Sequence, residues 1–300
     1  MNKIVVMAAL AGAMVSTAAM AQNRTGARLI DGNVNFDAGS TPTSTTAIPS
    51  SATLGASSFT SNLRVNNASA PTSGLDNSFT TWWWVRAGND AREFALANPT
   101  SRTVSGDGRS ATYTFTQSGL TWTMTFVAQS LGADSGQVLS SLTATNNGST
   151  AVSNVNMFWY VDSFLFGQDG NDRVSSVETT GDRRINIIDT AAAAAGWSAQ
   201  VAGFGATGLG AGTFAVVGGQ MGDTGIDNFA DIVAPPGADT DLSHVMQWTV
   251  PEIAAGGSLT VFGAYAVAAS GAPVQAIPAP GVAGLLAIGG LMVARRRRGA

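Results

Sequence analysis

Three consecutive tryptophans, Trp82, Trp83 and Trp84, are the strongest concentration of binding chemistry in the chain. An indole face stacks on sugar rings or on another protein when exposed, and serves as core when buried. In a strand, Trp82 and Trp84 share one face and Trp83 takes the other. Burial is the ordinary use of such side chains, and Trp83 is the residue to test for ligand binding, with envelope polysaccharide as the partner it would meet. A second cluster is acidic. Asp162, Asp169 and Asp172 lie close together, the last two within Gly167-Gln168-Asp169-Gly170-Asn171-Asp172. Asp169, Asn171 and Asp172 are the kind of hard oxygen donors that calcium takes. Counting from Asp169, no glutamate occupies the twelfth position of an EF-hand loop, and Asx turns account for the same residues without metal.

The remaining reactive groups are sparse. His244 is the single histidine, which excludes a multi-histidine zinc site, and no nucleophile-elbow motif surrounds Ser243 or another serine. Glu93, Glu178 and Glu252 are the only glutamates. A glycosidase carboxylate pair is defined by separation in space, so the sequence leaves that chemistry open. Gly203, Gly205, Gly208, Gly210 and Gly212, with the pair Gly218-Gly219, lack a phosphate-loop lysine and read as loops or strand ends.

Most elements that must position these residues follow a period of two. Around Ser118-Gly119, Tyr113 and Phe115 alternate with threonines on one side, as do Leu120, Trp122, Met124 and Phe126 on the other. This pattern predicts a hairpin over 111–128 with one apolar and one threonine face. Val138 to Thr145 leads through Asn146-Asn147-Gly148-Ser149 into Ala151 to Asp162, and the turn residues predict a second strand pair. The last strand is apolar on both faces, as expected of a central one. Further strands are expected at Arg28 to Phe36, Ser58 to Val65, Phe79 to Val85, Arg184 to Ile188, Trp197 to Ala202, Gly212 to Val217, His244 to Val250 and Ser258 to Val267. The stretch from Gly39 to Ser51 is Ser/Thr/Pro-rich and reads as loop, while Ala191 to Ala195 suits a short helical turn. With no long amphipathic helix in the body, the fold class is all-β, an antiparallel β-sandwich of one domain over residues 22–275. The pair Trp248-Thr249-Val250-Pro251 and Gly256 to Val261 resembles the closing hairpin of exported bacterial β-sandwich domains.

Both ends carry targeting patterns. Lys3 precedes an apolar run from Ile4 to Met20 that finishes in Ala19-Met20-Ala21, which predicts a signal helix over 1–21 cut by signal peptidase before Gln22. At the other end, Pro278-Ala279-Pro280-Gly281 is followed by an uncharged run from Val282 to Ala294 and then Arg295, Arg296, Arg297 and Arg298. That run is short for a transmembrane helix yet able to span with snorkelling, and the arginines would hold its far end in the cytoplasm. This order resembles a PEP-CTERM sorting signal over residues 276–300, in a Pro-Ala-Pro-Gly form. The resemblance implies recognition by an exosortase of a Gram-negative bacterium and cleavage near the prolines. It further implies transient anchoring in the inner membrane, then attachment at the cell surface or secretion.

Composition narrows the body between the two signals. It holds ten arginines, no lysine and all nineteen acidic residues, a balance of −9 that repels nucleic acid. There is no cysteine, so stability rests on packing rather than disulfides. An exported structural or adhesive protein of the cell surface or extracellular matrix, sorted by an exosortase, is the first functional expectation. A carbohydrate-binding module or carbohydrate-active enzyme on the same sandwich is the alternative.

Overall fold

A computed structural model describes residues 25–40, 61–65, 77–167, 170–190, 196–233, 239–269 and 274–278. Strands fall where β-branched and aromatic residues alternate with polar ones, and they assemble into three sheets. Strands β1 (Thr25–Asp31), β2 (Val34–Ser40) and β3 (Asn62–Val65) form an N-terminal three-stranded sheet. The others are β4 (Ser78–Arg86), β5 (Phe94–Ala95), β6 (Ser101–Val104), β7 (Ser110–Gln117), β8 (Leu120–Gly132), β9 (Ser135–Thr145) and β10 (Val152–Ser163). They are followed by β11 (Asp172–Glu178), β12 (Arg183–Asp189), β13 (Ser198–Phe204), β14 (Gly208–Thr213), β15 (Ile232–Val233), β16 (Leu242–Ile253) and β17 (Ser258–Ala268). A large sheet of eight strands runs β11-β12-β13-β17-β9-β8-β7-β6, and a second sheet of six runs β15-β14-β16-β10-β4-β5. All neighbours are antiparallel except β14 and β15.

The expected hairpin is β7–β8, with Tyr113, Phe115, Trp122, Met124 and Phe126 buried and Thr112 bonded to Thr125 at 3.0 Å on the opposite face. Strand β10 is central as its two apolar faces require, lying between β16 and β4. Other expectations are revised. The segment Arg28 to Phe36 is not one strand but a hairpin turning at Gly32 and Asn33. The glycines at 208, 210 and 212 are not loop but strand β14, and Phe229 O would lie 1.8 Å from a Cβ at Gly208. Beyond Thr213 the chain leaves the sheet as a π-helical turn, Phe214–Gly218, and a turn of α-helix, Gly219–Gly222.

The largest revision concerns the turn at Asn146. Strand β9 belongs to the large sheet and β10 to the second sheet, so the connection is a crossover between layers rather than a hairpin. Strands β16 and β17 are divided in the same way, so the closing hairpin is also a crossover. Asn146 ties the two crossovers together. Its side-chain amide donates to Thr150 O at 2.8 Å and Ile253 O at 2.9 Å, and its backbone pairs with Gly256 and Gly257.

Between the layers, bulky residues of one sheet meet small residues of the other. Met246, Trp159 and Trp83 are in register across β16, β10 and β4. Gly203, Gly263, Ser140 and Phe126 are in register across β13, β17, β9 and β8. A Cβ at Gly263 would stand 2.7 Å from the Trp159 ring, and one at Gly203 would stand 2.9 Å from Met246 Cβ. Absence of a side chain there lets the indoles fill the interlayer space at interior density. The N-terminal sheet adds Phe36, whose ring centroid is 4.9 Å from that of Phe126.

Candidate functional site

The tryptophan triplet is core. Trp82, Trp83 and Trp84 are each fully buried, and Trp83 presents no face to a surface ligand. Its ring lies 5.1 Å from Trp159 and 5.4 Å from Trp248, and its Nε1 donates to Ser140 Oγ at 2.7 Å. Trp82 donates to Leu96 O at 3.0 Å, while Trp84 packs edge-on against Tyr160. The remaining tryptophans, Trp122, Trp159, Trp197 and Trp248, are buried too, so none of the seven offers a stacking platform.

Of the three proposed calcium donors, Asp169 lies outside the described residues. The backbone carbonyl of Asn171 accepts from Thr190 N and Oγ1, both at 2.9 Å. Asp172 is buried at the start of β11, and its Oδ2 faces Leu165 N at 3.4 Å. Burial pushes its carboxyl up to about 8; hydrogen bonds from Leu165 and Ser163 offset this only in part, and Asp189 and Asp241 add to it. Such a group carries a proton at neutral pH. Among the described residues no three Asp, Glu or His side chains converge to hold a metal ion.

His244 is fully buried, with Nε2 3.3 Å from Ser163 Oγ, and desolvation lowers its pKa to about 3. A neutral, enclosed imidazole has no route to a substrate. Nearby, Tyr160 OH stands 2.6 Å from Ser243 Oγ, which donates to Asp162 Oδ1 at 3.2 Å, and burial holds the phenol well above its ordinary pKa. His244, Ser163, Tyr160, Ser243 and Asp162 are all buried.

The glutamates are dispersed. Glu93 is buried in an ion pair with Arg86. Its pKa is raised because burial outweighs the attraction of that guanidinium. Arg86 also donates to Asp227 O at 2.8 Å and Asn228 Oδ1 at 2.7 Å, and Phe229 N donates to Gln247 Oε1 at 2.7 Å. This network seats the 227–229 segment on the second sheet. Glu178 and Glu252 are exposed on β11 and β16.

A different arrangement stands on the outer face of the large sheet. Gln129, Gln137, Ala266, Gln200, Asn186 and Ser176 are in register across β8, β9, β17, β13, β12 and β11. Neighbouring polar members bond one another: Gln137 to Gln129 at 2.8 Å, Gln200 to Asn186 at 2.7 Å, and Asn186 to Ser176 at 2.7 Å. Ala266 interrupts the row, and the segment 274–278 lies across the gap. Gln137 grips both backbone groups of Ile277, accepting from N at 3.0 Å and donating to O at 2.9 Å. Gln200 Oε1 accepts from Ala276 N at 3.0 Å, and Arg184 donates to Ala276 O at 3.2 Å and to Gln200 Oε1 at 2.7 Å. Val274 and Ala276 are buried against Leu139, Ala202, Phe204, Ala264 and Ala268. Beside Pro278 an apolar slot of about 70 Å³ is walled by Val127, Leu139, Phe204 and Phe262.

Sequence reasoning missed this site. Its glutamines sit at outward positions of ordinary strands, and their common row exists only once the strand register is set. Of the residues expected to form a sorting motif, Pro278 is described; Ala279, Pro280, Gly281 and Arg295 to Arg298 lie outside the described residues, as do the expected signal segment over 1–21 and the run from Val282 to Ala294. Among the described residues no helix is long and apolar enough to cross a membrane.

No family model and no curated protein matches the chain. Among solved structures, it is similar to a putative kojibiose phosphorylase from human microbiome at 9% identity and a TM-score of 0.40, over 86% of this chain and 32% of that one. It is also similar to the α-N-acetylgalactosaminidase NagBb of Bifidobacterium bifidum at 8% identity and a TM-score of 0.32, over 82% of this chain and 36% of that one. The chain thus spans about a third of the length of each.

Proposed function

We propose that this chain is an exported protein sorted by an exosortase to the cell surface or the medium, where its β-sandwich has a structural or adhesive role in the envelope or matrix. The carrying observation is the order of the C-terminal residues: Pro278-Ala279-Pro280-Gly281, an uncharged run to Ala294, then Arg295 to Arg298. A basic cluster behind an apolar run keeps that end in the cytoplasm and leaves the preceding domain outside. The export pattern at residues 1–21 agrees with that orientation. Support from the fold is of another kind. Of the titratable groups that drew attention in the sequence, Asp162, Asp172, His244 and Glu93 are enclosed in the protein, which suits a structural role for them better than a catalytic one. Binding of envelope polysaccharide through Trp83 is not part of the proposal, since that ring is enclosed.

Deletion of residues 278–298 tests the reading. Fractionation of cells expressing the full chain should find it at the surface or in the medium, and the deleted form should lose that location. An unchanged distribution would overturn the sorting assignment.

A further inference from the structure

The contacts of the segment 274–278 have the character of ligand binding rather than of a strand added to a sheet. An extended peptide is recognised through its backbone groups, with pockets for alternate side chains supplying selectivity. Here the backbone of Ala276 and Ile277 is held by Gln137, Gln200 and Arg184, while Val274 and Ala276 point into the apolar floor and Gln275 and Ile277 are exposed. Neighbouring side chains brace the gripping groups: Gln129 holds Gln137, Asn186 holds Gln200, and Arg184 lies over the Phe204 ring at 5.6 Å. Such bracing orients the amides before any peptide arrives, which lowers the cost of binding.

We propose that the outer face of the large sheet is a binding site for an extended peptide, that its ligand is this chain's own Val274–Pro278, and that the docked segment acts as a latch on the sorting motif. A peptidase cutting near Pro278 has to draw the preceding residues into its own cleft. The backbone groups of Ala276 and Ile277 that it would need are already engaged, and Ala276 is buried. Cutting therefore waits on release of the segment from the sheet. The binding site stands on the contacts alone; the latch rests on the sorting function proposed above.

Hydrogen exchange of the Ala276 and Ile277 amides in the full chain tests the site, and the processed fraction in exosortase-bearing cells tests the latch. Two variants are compared: Gln137→Ala with Gln200→Ala, which removes the grip, and Ala276→Asp, which forces a charge against the apolar floor and leaves the sheet intact. Both should speed exchange at residues 276 and 277 by about 10-fold or more while amides of Leu142 and Tyr265 stay protected. Both should also raise the processed fraction. Unchanged exchange at 276 and 277 in Ala276→Asp, with the sheet amides protected, overturns the binding site. Faster exchange with an unchanged processed fraction overturns the latch and keeps the site. If exchange speeds up but neither wild type nor variant is ever processed, the sorting function falls and the peptide site stands.

Discussion

Trp83 joins two demands that a single side chain seldom meets together. Its ring fills the interlayer space beside Trp159 and Trp248, and its N–H reaches Ser140 Oγ at 2.7 Å. Replacing it by phenylalanine keeps most of the ring and loses the hydrogen bond, so urea unfolding should report a loss of about 1 kcal/mol. Alanine should cost about 3–5 kcal/mol through the cavity it leaves. Two buried titratable groups make opposite contributions to the pH dependence. Asp172 is raised from 3.8 to about 8, so the native state holds a proton that the unfolded chain has released; its stabilisation is complete below pH 3.8 and is lost as pH rises to 8. His244 is lowered from 6.5 to about 3, so the unfolded chain binds the extra proton and stability grows as pH rises between those values. The two slopes oppose each other up to about pH 6.5, above which the His244 contribution is complete and that of Asp172 still falls. Stability should therefore decline between pH 6.5 and 8, and Asp172→Asn should make that decline shallower. Glu93 and Asp227, both raised mainly by burial, add the same sign as Asp172. Thermal melts of wild type and Asp172→Asn across this range check the sign: parallel curves would count against it.

At the scale of elements, the sandwich depends on matching a bulky row to a small one. Gly263 is buried by Trp159 so closely that alanine would place its methyl 2.7 Å from the ring. Overpacking of this kind should cost about 1–3 kcal/mol, measured by thermal or urea unfolding. The alternation in β7, β8, β10 and β17 was legible in the residues themselves, because a period of two with one apolar face leaves few alternatives. The glycines of β14 were not legible. Gly208 and Gly210 have no room for a side chain because Phe229 covers the strand closely there, and the covering residue arrives about twenty positions later in the chain.

For the whole molecule, two crossovers decide that the strands form layers instead of a meander. Asn146 holds both, through Thr150 O on its own crossover and Ile253 O on the other. Asn146→Ala leaves two carbonyls without their donor and should cost about 1–3 kcal/mol. A double-mutant cycle with Gly263→Ala should be additive within about 0.5 kcal/mol, because the two sites share no partner.

What the sequence by itself determined is local or compositional: the strand periodicities, the all-β class, the absence of disulfides, the acidic body and the order of apolar and basic residues at both ends. Each follows from residue type and near-neighbour spacing, which the chain carries before it folds. Tertiary structure alone decided the rest. Strand-turn-strand at Asn146 reads the same whether the strands pair or part, and the pairing of β9 with β17 and β10 with β16 settles it. Burial makes Asp172 and His244 neutral core residues, which their place in the sequence does not reveal. Only strand register aligns Gln137 with Gln200 on either side of Ala266, making two unremarkable glutamines a grip for the segment 274–278.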